Sequence, residues 1–205
     1  MQNKLTKLKN KLDARKYQKI SIQTEVELPI YIFDLSEKID ADKLTQEIYE
    51  FRKQFPRSMN EYNKNTYVHA WHSDFATPSM TDILDKIIET KKEKITQIWN
   101  VNLEMIDTWI NIYTRGNFAK RHKHGMHGFS TVYYPYVEEN PTPIIFDGNG
   151  QDKHEIYPKK NMLIVFHSLV WHTVPIVNEN TRISIASNFN VQFKINRDPL
   201  LYHEK

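Results

Sequence analysis

Apolar positions along the chain keep two different periods. Leu5, Leu8 and Leu12 recur at helical spacing among lysines, so residues 3 to 17 are expected to form a short amphipathic helix within a basic N-terminal segment, residues 1–20. IQTEVELPIYIF, residues 22 to 33, switches to alternation and β-branched content, the mark of a strand with Pro29 near an edge. Leu44, Ile48 and Phe51 return to a helical stripe over roughly residues 41 to 54, and PRSMNEYNKNT, residues 56 to 66, is polar and rich in helix breakers, hence a loop. Thr77-Pro78 supplies a hydroxyl cap followed by proline at the first helical position. From there Ile83, Leu84, Ile87, Ile88, Ile95 and Ile98 hold one face as far as Trp99.

From residue 105 the pattern becomes a series of short strand-like runs: MIDTWINIYTR, FSTVYYPYV, TPIIF, HEIY, MLIVF, LVWHTVPIV and RISIASNFNVQF. Turn signals such as EENP, DGNG, PKKN and NEN separate them. Strands that follow a helical first half predict an α+β fold, a jelly-roll or cupin-like β core with helices from the N-terminal half packed on one sheet.

Composition narrows the chemistry. The 205 residues include no cysteine, so disulfides, thiolate metal sites and a cysteine nucleophile are excluded, and any metal must be held by imidazole and carboxylate. The net charge is only +3, yet seven Lys or Arg lie between Lys4 and Lys19 against one acid, Asp13. A solvated helix face explains this arm more simply than nucleic acid or another anionic partner. MQNKLTKLKNKL lacks the apolar run of a signal peptide, and no window of 18 apolar residues occurs, so a cytoplasmic protein without a membrane partner is expected. Neither GxxxxGK[ST] nor GxGxxG is present, which leaves phosphate cradles unsupported. DGNG, residues 147 to 150, is better explained as a turn than as a calcium loop.

The candidate chemistry lies in RHKHGMHGF, residues 121 to 129. On a strand, residues i and i+2 share a face, so His122 and His124 can reach one point. His172, in the later run LVWHTVPIV, supplies a third imidazole, and three nitrogens from β-strands suit a metal with open coordination positions. Arg182 follows ten residues on. A three-residue hairpin loop at Asn178-Glu179-Asn180 would set His172 against Ala186, Val174 against Ser184 and Ile176 against Arg182. Arg182 and Ser184 would then share the face of His172, with the guanidinium about 13 Å along the strand. That gap suits a small dicarboxylate chelating the metal at one end and gripped by the arginine at the other. Tyr113 is a natural further donor to the same acid. The bland reading of Arg182 is a rim salt bridge with Glu179.

The order Tyr113, His122-Lys123-His124, His172, Arg182-Ile183-Ser184 resembles the iron(II)/2-oxoglutarate dioxygenases. More closely, WINIYTRGNFAKRHKHGMHGFSTVYYP and MLIVFHSLVWHTVPIVNENTRISIASNFN are similar to a prolyl-hydroxylase-like 2-oxoglutarate/Fe(II) oxygenase family of phages and marine bacteria. The resemblance runs from about residue 109 to 190, with a weaker echo in ELPIYIFDL and VHAWHSDF. It implies a double-stranded β-helix and a single oxygenase domain over residues 1–205, with the metal-binding β core at residues 104–194. It also implies Fe(II) on His122, His124 and His172, 2-oxoglutarate as co-substrate on Arg182, Ser184, Tyr113 and Asn188, and O2 as oxidant. His127, Asn111 and Tyr134 would lie on the substrate side. The chain departs from the family at His124, where a carboxylate is usual, and at Gly125, His127 and His167.

The expected activity is hydroxylation of a C–H bond in a small-molecule or peptidyl substrate, with release of succinate and CO2. It would act in the cytoplasm, that of the host cell if phage-encoded; a homodimer is compatible with the sequence and a nucleic-acid partner is not expected. Two rival readings keep the same residues: a three-histidine zinc hydrolase or lyase, and a non-enzymatic jelly-roll binding module. His69, His72, His154 and His203 have no matching partners and are expected to be surface or structural. Tyr133, Tyr134, Phe166 and Trp171 are expected in the core or the pocket wall.

Overall fold

Among the described residues, two helices form where the stripes demand. In the computed structural model, which describes residues 17–22, 28–58, 66–74, 82–125, 128–148 and 152–192, helix α1 spans Ala41–Gln54 and helix α2 spans Asp82–Trp99. Asp40 caps α1 by accepting from the Lys43 N–H at 3.0 Å, satisfying one of the donors left over at a helix start. The buried stripe is Leu44 and Ile48 in α1 and Ile87 and Ile95 in α2. Asn100, in the left-handed region at φ 53°, ends α2. The expected helix over residues 3 to 17 lies outside the described residues up to residue 16. Tyr17–Ile22 is a strand, so residues 17 to 20 belong to the sheet and not to the basic N-terminal helix. The Thr77-Pro78 helix start, most of the 56–66 loop, His127 and His203 also lie outside the described residues.

Twelve described strands make two antiparallel sheets. They are β1 Tyr17–Ile22, β2 Leu28–Asp34, β3 Val68–His69, β4 Trp71–His72, β5 Asn102–Tyr113, β6 Phe118–His122, β7 Phe129–Val137, β8 Ile144–Gly148, β9 Asp152–Ile156, β10 Met162–His167, β11 Trp171–Val174 and β12 Arg182–Gln192. The major sheet runs β1-β2-β10-β7-β12-β5-β4 and the minor sheet β3-β6-β11-β8-β9. Pro29 lies on β2 beyond the stretch paired with β10, where its missing N–H costs no bond on that side.

Period-2 alternation divides the core in two. One face of the major sheet, with Ile110, Tyr133, Leu163, Val165, Ile183 and Ile185, packs under α1 and α2. Its other face meets the minor sheet through Ile30, Val132, Ile164 and Phe166 on one side and Ala119, Ile144, Phe146 and Val174 on the other. The expected α+β architecture, a double-stranded β-helix with the N-terminal helices on one sheet, is the one observed.

The expected hairpin between β11 and β12 does not form. β11 pairs with β6 and β8, whereas β12 pairs with β5 and β7, so the segment between them crosses from one sheet to the other. Pro175 cannot donate to a ladder, and Val177 is captured by Asn117 and Gly116 through backbone bonds of 2.8 and 2.9 Å. Arg182 therefore pairs with Tyr113 and Val137, and Ser184 with Asn111, rather than extending the ladder of His172. Of the expected DGNG turn, Asp147 and Gly148 belong to β8 and pair with Lys153 and Asp152 of β9, and residues 149–150 lie outside the described residues.

Candidate metal centre

Opposite walls of one pocket carry the residues that the sequence singled out. From the minor sheet come His122 at the end of β6 and His172 on β11, directly paired across the ladder. From the major sheet come Tyr113, Asn111 and Trp109 on β5 and Arg182, Ser184, Ala186 and Asn188 on β12, each set spaced by two so that one face of its strand is used. Phe166, Tyr134 and Ser130 complete the lining of the cavity. Because the inner faces of both sheets line the same space, Arg182 and His172 share the pocket without sharing a hairpin.

His124 lies just beyond β6 rather than on it, yet its ring still joins the others. The Lys123–Gly125 segment is held by a bond from His124 N–H to Ser168 O at 3.0 Å and one from Ser168 Oγ to Gly125 O at 3.3 Å. Gly125 has φ 74°, a conformation that glycine adopts at little cost. Gly128 returns the chain against β12: a Cβ there would stand 2.6 Å from Val191 Cγ2 and 3.0 Å from the Val191 nitrogen. The ligating nitrogens of the three imidazoles all fall within 4.8 Å of one another, and His124 Nε2 is 3.3 Å from His172 Nε2. Two nitrogens bound to one ion at about 2.1 Å stand about 3.0–3.4 Å apart at octahedral or tetrahedral angles, so this separation fits a shared metal.

Hydrogen bonding fixes two tautomers. His122 Nδ1 faces Lys120 O at 2.7 Å and His172 Nδ1 faces Val170 O at 3.1 Å. A carbonyl only accepts, so each Nδ1 carries the hydrogen and each Nε2 presents a lone pair to the centre. Burial lowers the pKa of His122, against a raising effect of the Lys120 carbonyl. It holds that of His172 well below the ordinary value, with His122 and His124 adding to the effect. Both rings are thus neutral near pH 7, the form that a metal takes. Phe166 and Phe146 flank His172 at ring-centroid distances of 5.0 and 5.9 Å. The half-exposed Tyr67 stacks on His122 at 5.1 Å with the planes 2° apart, so the imidazoles occupy the end of the pocket nearest solvent.

The deep end is cationic. Arg182 is 1% exposed, and its Nη1 donates to Thr142 O at 2.7 Å and lies 3.5 Å from Glu179 Oε1. The ion pair foreseen with Glu179 exists, but it is buried instead of lying on the rim. Burial works against the charge of Glu179, yet Thr142, which donates its N–H and its hydroxyl to Oε2, and Arg182 keep its carboxyl below the usual range. Among the described residues, Arg182 Nε and Nη2 have no hydrogen-bond partner. These two N–H groups form the side-on fork of a guanidinium, the geometry that grips a carboxylate with two parallel bonds. Leaving two charged donors buried and unused is costly, so the pocket is built for an anion at this end. The guanidinium lies 4.7 Å above the Tyr113 ring, and burial pushes the Tyr113 hydroxyl up to about 12 although Arg182 opposes it. That hydroxyl stays protonated at neutral pH.

Asn111 and Tyr134, expected on the substrate side, are buried in the wall near Arg182 and Ser184. Asn188 lies nearer the imidazoles, with Ser130 Oγ 2.7 Å from its Oδ1 and His124 Nδ1 3.5 Å from its Nδ2. Trp171 is neither core nor pocket wall. It stacks beneath the Arg121 guanidinium at 4.1 Å, and Arg121 in turn pairs with the buried Asp147. His72 is buried, stacked on Trp109 at 5.8 Å, and His69 stacks on Phe118 at 4.3 Å; both are structural. Sequence reasoning passed over Trp109, Ser130 and Tyr67. Only Trp109 carried a signal, being two residues before Asn111 and four before Tyr113 on the same strand face.

Fold and pocket together define the class of the structure: it has a double-stranded β-helix architecture like that of solved prolyl hydroxylases. Among solved structures, it is similar to a prolyl hydroxylase from Trichoplax adhaerens in complex with a hypoxia-inducible-factor oxygen degradation domain peptide fragment (TM-score 0.63, 11% identity, 93% of each chain covered). It is similar also to a Pseudomonas putida prolyl-4-hydroxylase (TM-score 0.59, 16% identity, 79% of this chain and 93% of that one). A third is the viral collagen prolyl hydroxylase of Paramecium bursaria Chlorella virus-1 in its 2OG complex (TM-score 0.55, 16% identity, 86% and 97% covered). At these identities the likeness is one of fold. No protein-family model matches the sequence, and no curated relative matches it.

Proposed function

We propose that the protein is an iron(II)- and 2-oxoglutarate-dependent dioxygenase that hydroxylates a C–H bond. The observation that carries this reading is the unused side-on fork of Arg182, buried at the floor of a pocket whose opposite wall presents three converging imidazoles. A dicarboxylate with a chelating keto acid at one end answers both features at once. The prolyl hydroxylase fold, and the 2OG complex of one of its members, support the same assignment.

His122, His124 and His172 would hold Fe(II) through three neutral imidazole nitrogens. When bound, the metal supplies the coupling of oxidative decarboxylation of 2-oxoglutarate, to succinate and CO2, to hydroxylation of the substrate. The protein's own residues bind and orient. Arg182 takes the distal carboxylate through Nε and Nη2, while Glu179 and Thr142 hold its third nitrogen. The protonated Tyr113 hydroxyl and Ser184 donate to the same end, and Asn111 and Tyr134 wall the co-substrate. Phe146, Phe166 and Val174 keep water from the buried side of the metal. Substrate would arrive at the Tyr67 end, and a peptidyl substrate is compatible with the peptide-bound prolyl hydroxylase.

Anaerobic reconstitution with Fe(II) followed by titration with 2-oxoglutarate tests the reading. A metal-to-ligand charge-transfer band that saturates at one equivalent, and succinate release on admitting O2, are expected, both lost in His172→Ala. Tight zinc binding with no response to 2-oxoglutarate would replace it by the zinc hydrolase reading.

A further inference from the structure

The three imidazoles are not held alike. His122 and His172 are oriented by backbone carbonyls, which any side chain nearby would leave unchanged. His124 stands on an irregular segment, and its Nδ1 faces the side-chain amide of Asn188 at 3.5 Å. Asn188 is 3% exposed, and its other amide atom lies 2.7 Å from Ser130 Oγ, itself buried. The Trp109 ring borders His124 at 5.9 Å.

Which amide atom faces which neighbour is settled by hydrogen bonding, because oxygen and nitrogen of a side-chain amide are isosteric. If His124 is to offer Nε2 as a ligand, its Nδ1 must carry the hydrogen. The group facing Nδ1 must then accept, so Asn188 turns Oδ1 toward the ring and NH2 toward Ser130. Ser130 Oγ accepts as readily as it donates, so the turned amide keeps both contacts.

We infer that Asn188 is a positioning residue that sets the tautomer and orientation of His124 through a Ser130–Asn188–His124 relay, and so completes the three-nitrogen metal site. The inference rests on the metal-centre reading above. It moves Asn188 from the co-substrate, where the sequence reading had placed it, to the metal ligand that replaces the usual carboxylate. A carboxylate behind the ring would also accept from Nδ1 and would raise the basicity of the ring.

Co(II) affinity of the full chain, measured by competition with a chelating dye, tests this without recourse to turnover. Asn188→Ala is expected to weaken binding about 10- to 100-fold in the wild-type background and to have no further effect in His124→Ala. Asn188→Asp, isosteric and able only to accept, is expected to bind Co(II) at least as tightly as wild type, and it carries the test alone if the alanine variant fails to fold. The inference is overturned if Asn188→Ala costs as much in His124→Ala as in wild type, or if Asn188→Asp binds 10-fold more weakly than wild type. If instead His172→Ala binds Co(II) as well as wild type, the metal-centre reading fails and takes this inference with it.

Discussion

Arg182 combines near-complete burial with two N–H groups that have no hydrogen-bond partner among the described residues, the combination on which its proposed role as a carboxylate-binding arginine rests. A structural guanidinium spends all its donors on protein partners; here one nitrogen is spent and the fork is kept. Arg182→Lys retains the charge but loses the fork. It is expected to weaken 2-oxoglutarate binding about 10- to 100-fold while leaving Co(II) affinity within a factor of about two, as calorimetry on the metal-loaded, oxygen-free protein would show. At this scale much was legible: the His-x-His spacing, the distant His172 and the Arg182-x-Ser184 pair all arrive at one pocket. Ser130 was not, because a serine on a strand is ordinary in sequence and becomes informative only once its neighbours are known, and Glu179 was foreseen as a partner of Arg182 on the rim but not as a buried one.

Helix α2 holds an anomaly of its own. Lys91 is fully buried, its Nζ donating to Ile185 O at 3.0 Å and Ser187 Oγ at 2.8 Å, and burial lowers its pKa to about 7. In the unfolded chain the amine titrates near 10.4. Between those values the unfolded state binds the extra proton, so stability rises with pH across this window and is lower, by a constant amount, below it. Lys91→Met removes the group and is expected to flatten the dependence between pH 7 and 10 and to raise stability at pH 7. The gain would be on the order of a few kcal/mol, read from urea unfolding at several pH values. Element identity was largely legible too: α1 and β7 begin and end where the patterns change. The β11–β12 connection misled because NEN with flanking β-branched residues is a hairpin signal locally. Only the pairing of β12 between β5 and β7 shows that the strand belongs elsewhere.

The proposed co-substrate bridges the whole molecule, since its metal end rests on the minor sheet and its carboxylate end on the major one. A ligand that joins two sheets and binds only the folded state raises the unfolding temperature by mass action. Mn(II) with 2-oxoglutarate is therefore expected to raise Tm more than Mn(II) alone in oxygen-free calorimetry, and Arg182→Lys to lose the increment from 2-oxoglutarate but not that from the metal. Equal Tm with and without 2-oxoglutarate in the wild-type protein would count against a bridging ligand.

What the sequence determined by itself was local: which segments are helices and strands, which faces are apolar, and which residue types could hold a metal and an acid. Periodicity encodes these, because side-chain direction follows from backbone geometry within a few residues. The tertiary structure decided how those faces meet. It set Arg182 across the pocket from His172 instead of along one ladder, carried His124 in from beyond a strand end, and brought Ser130 and Asn188 behind it. Such relations join residues on different sheets, as with Arg182 and His172, or residues far apart in the chain, as with Ser130 and Asn188 or His124 and Asn188, 58 and 64 positions apart. Strand order and sheet crossing fix them, and no local pattern records either.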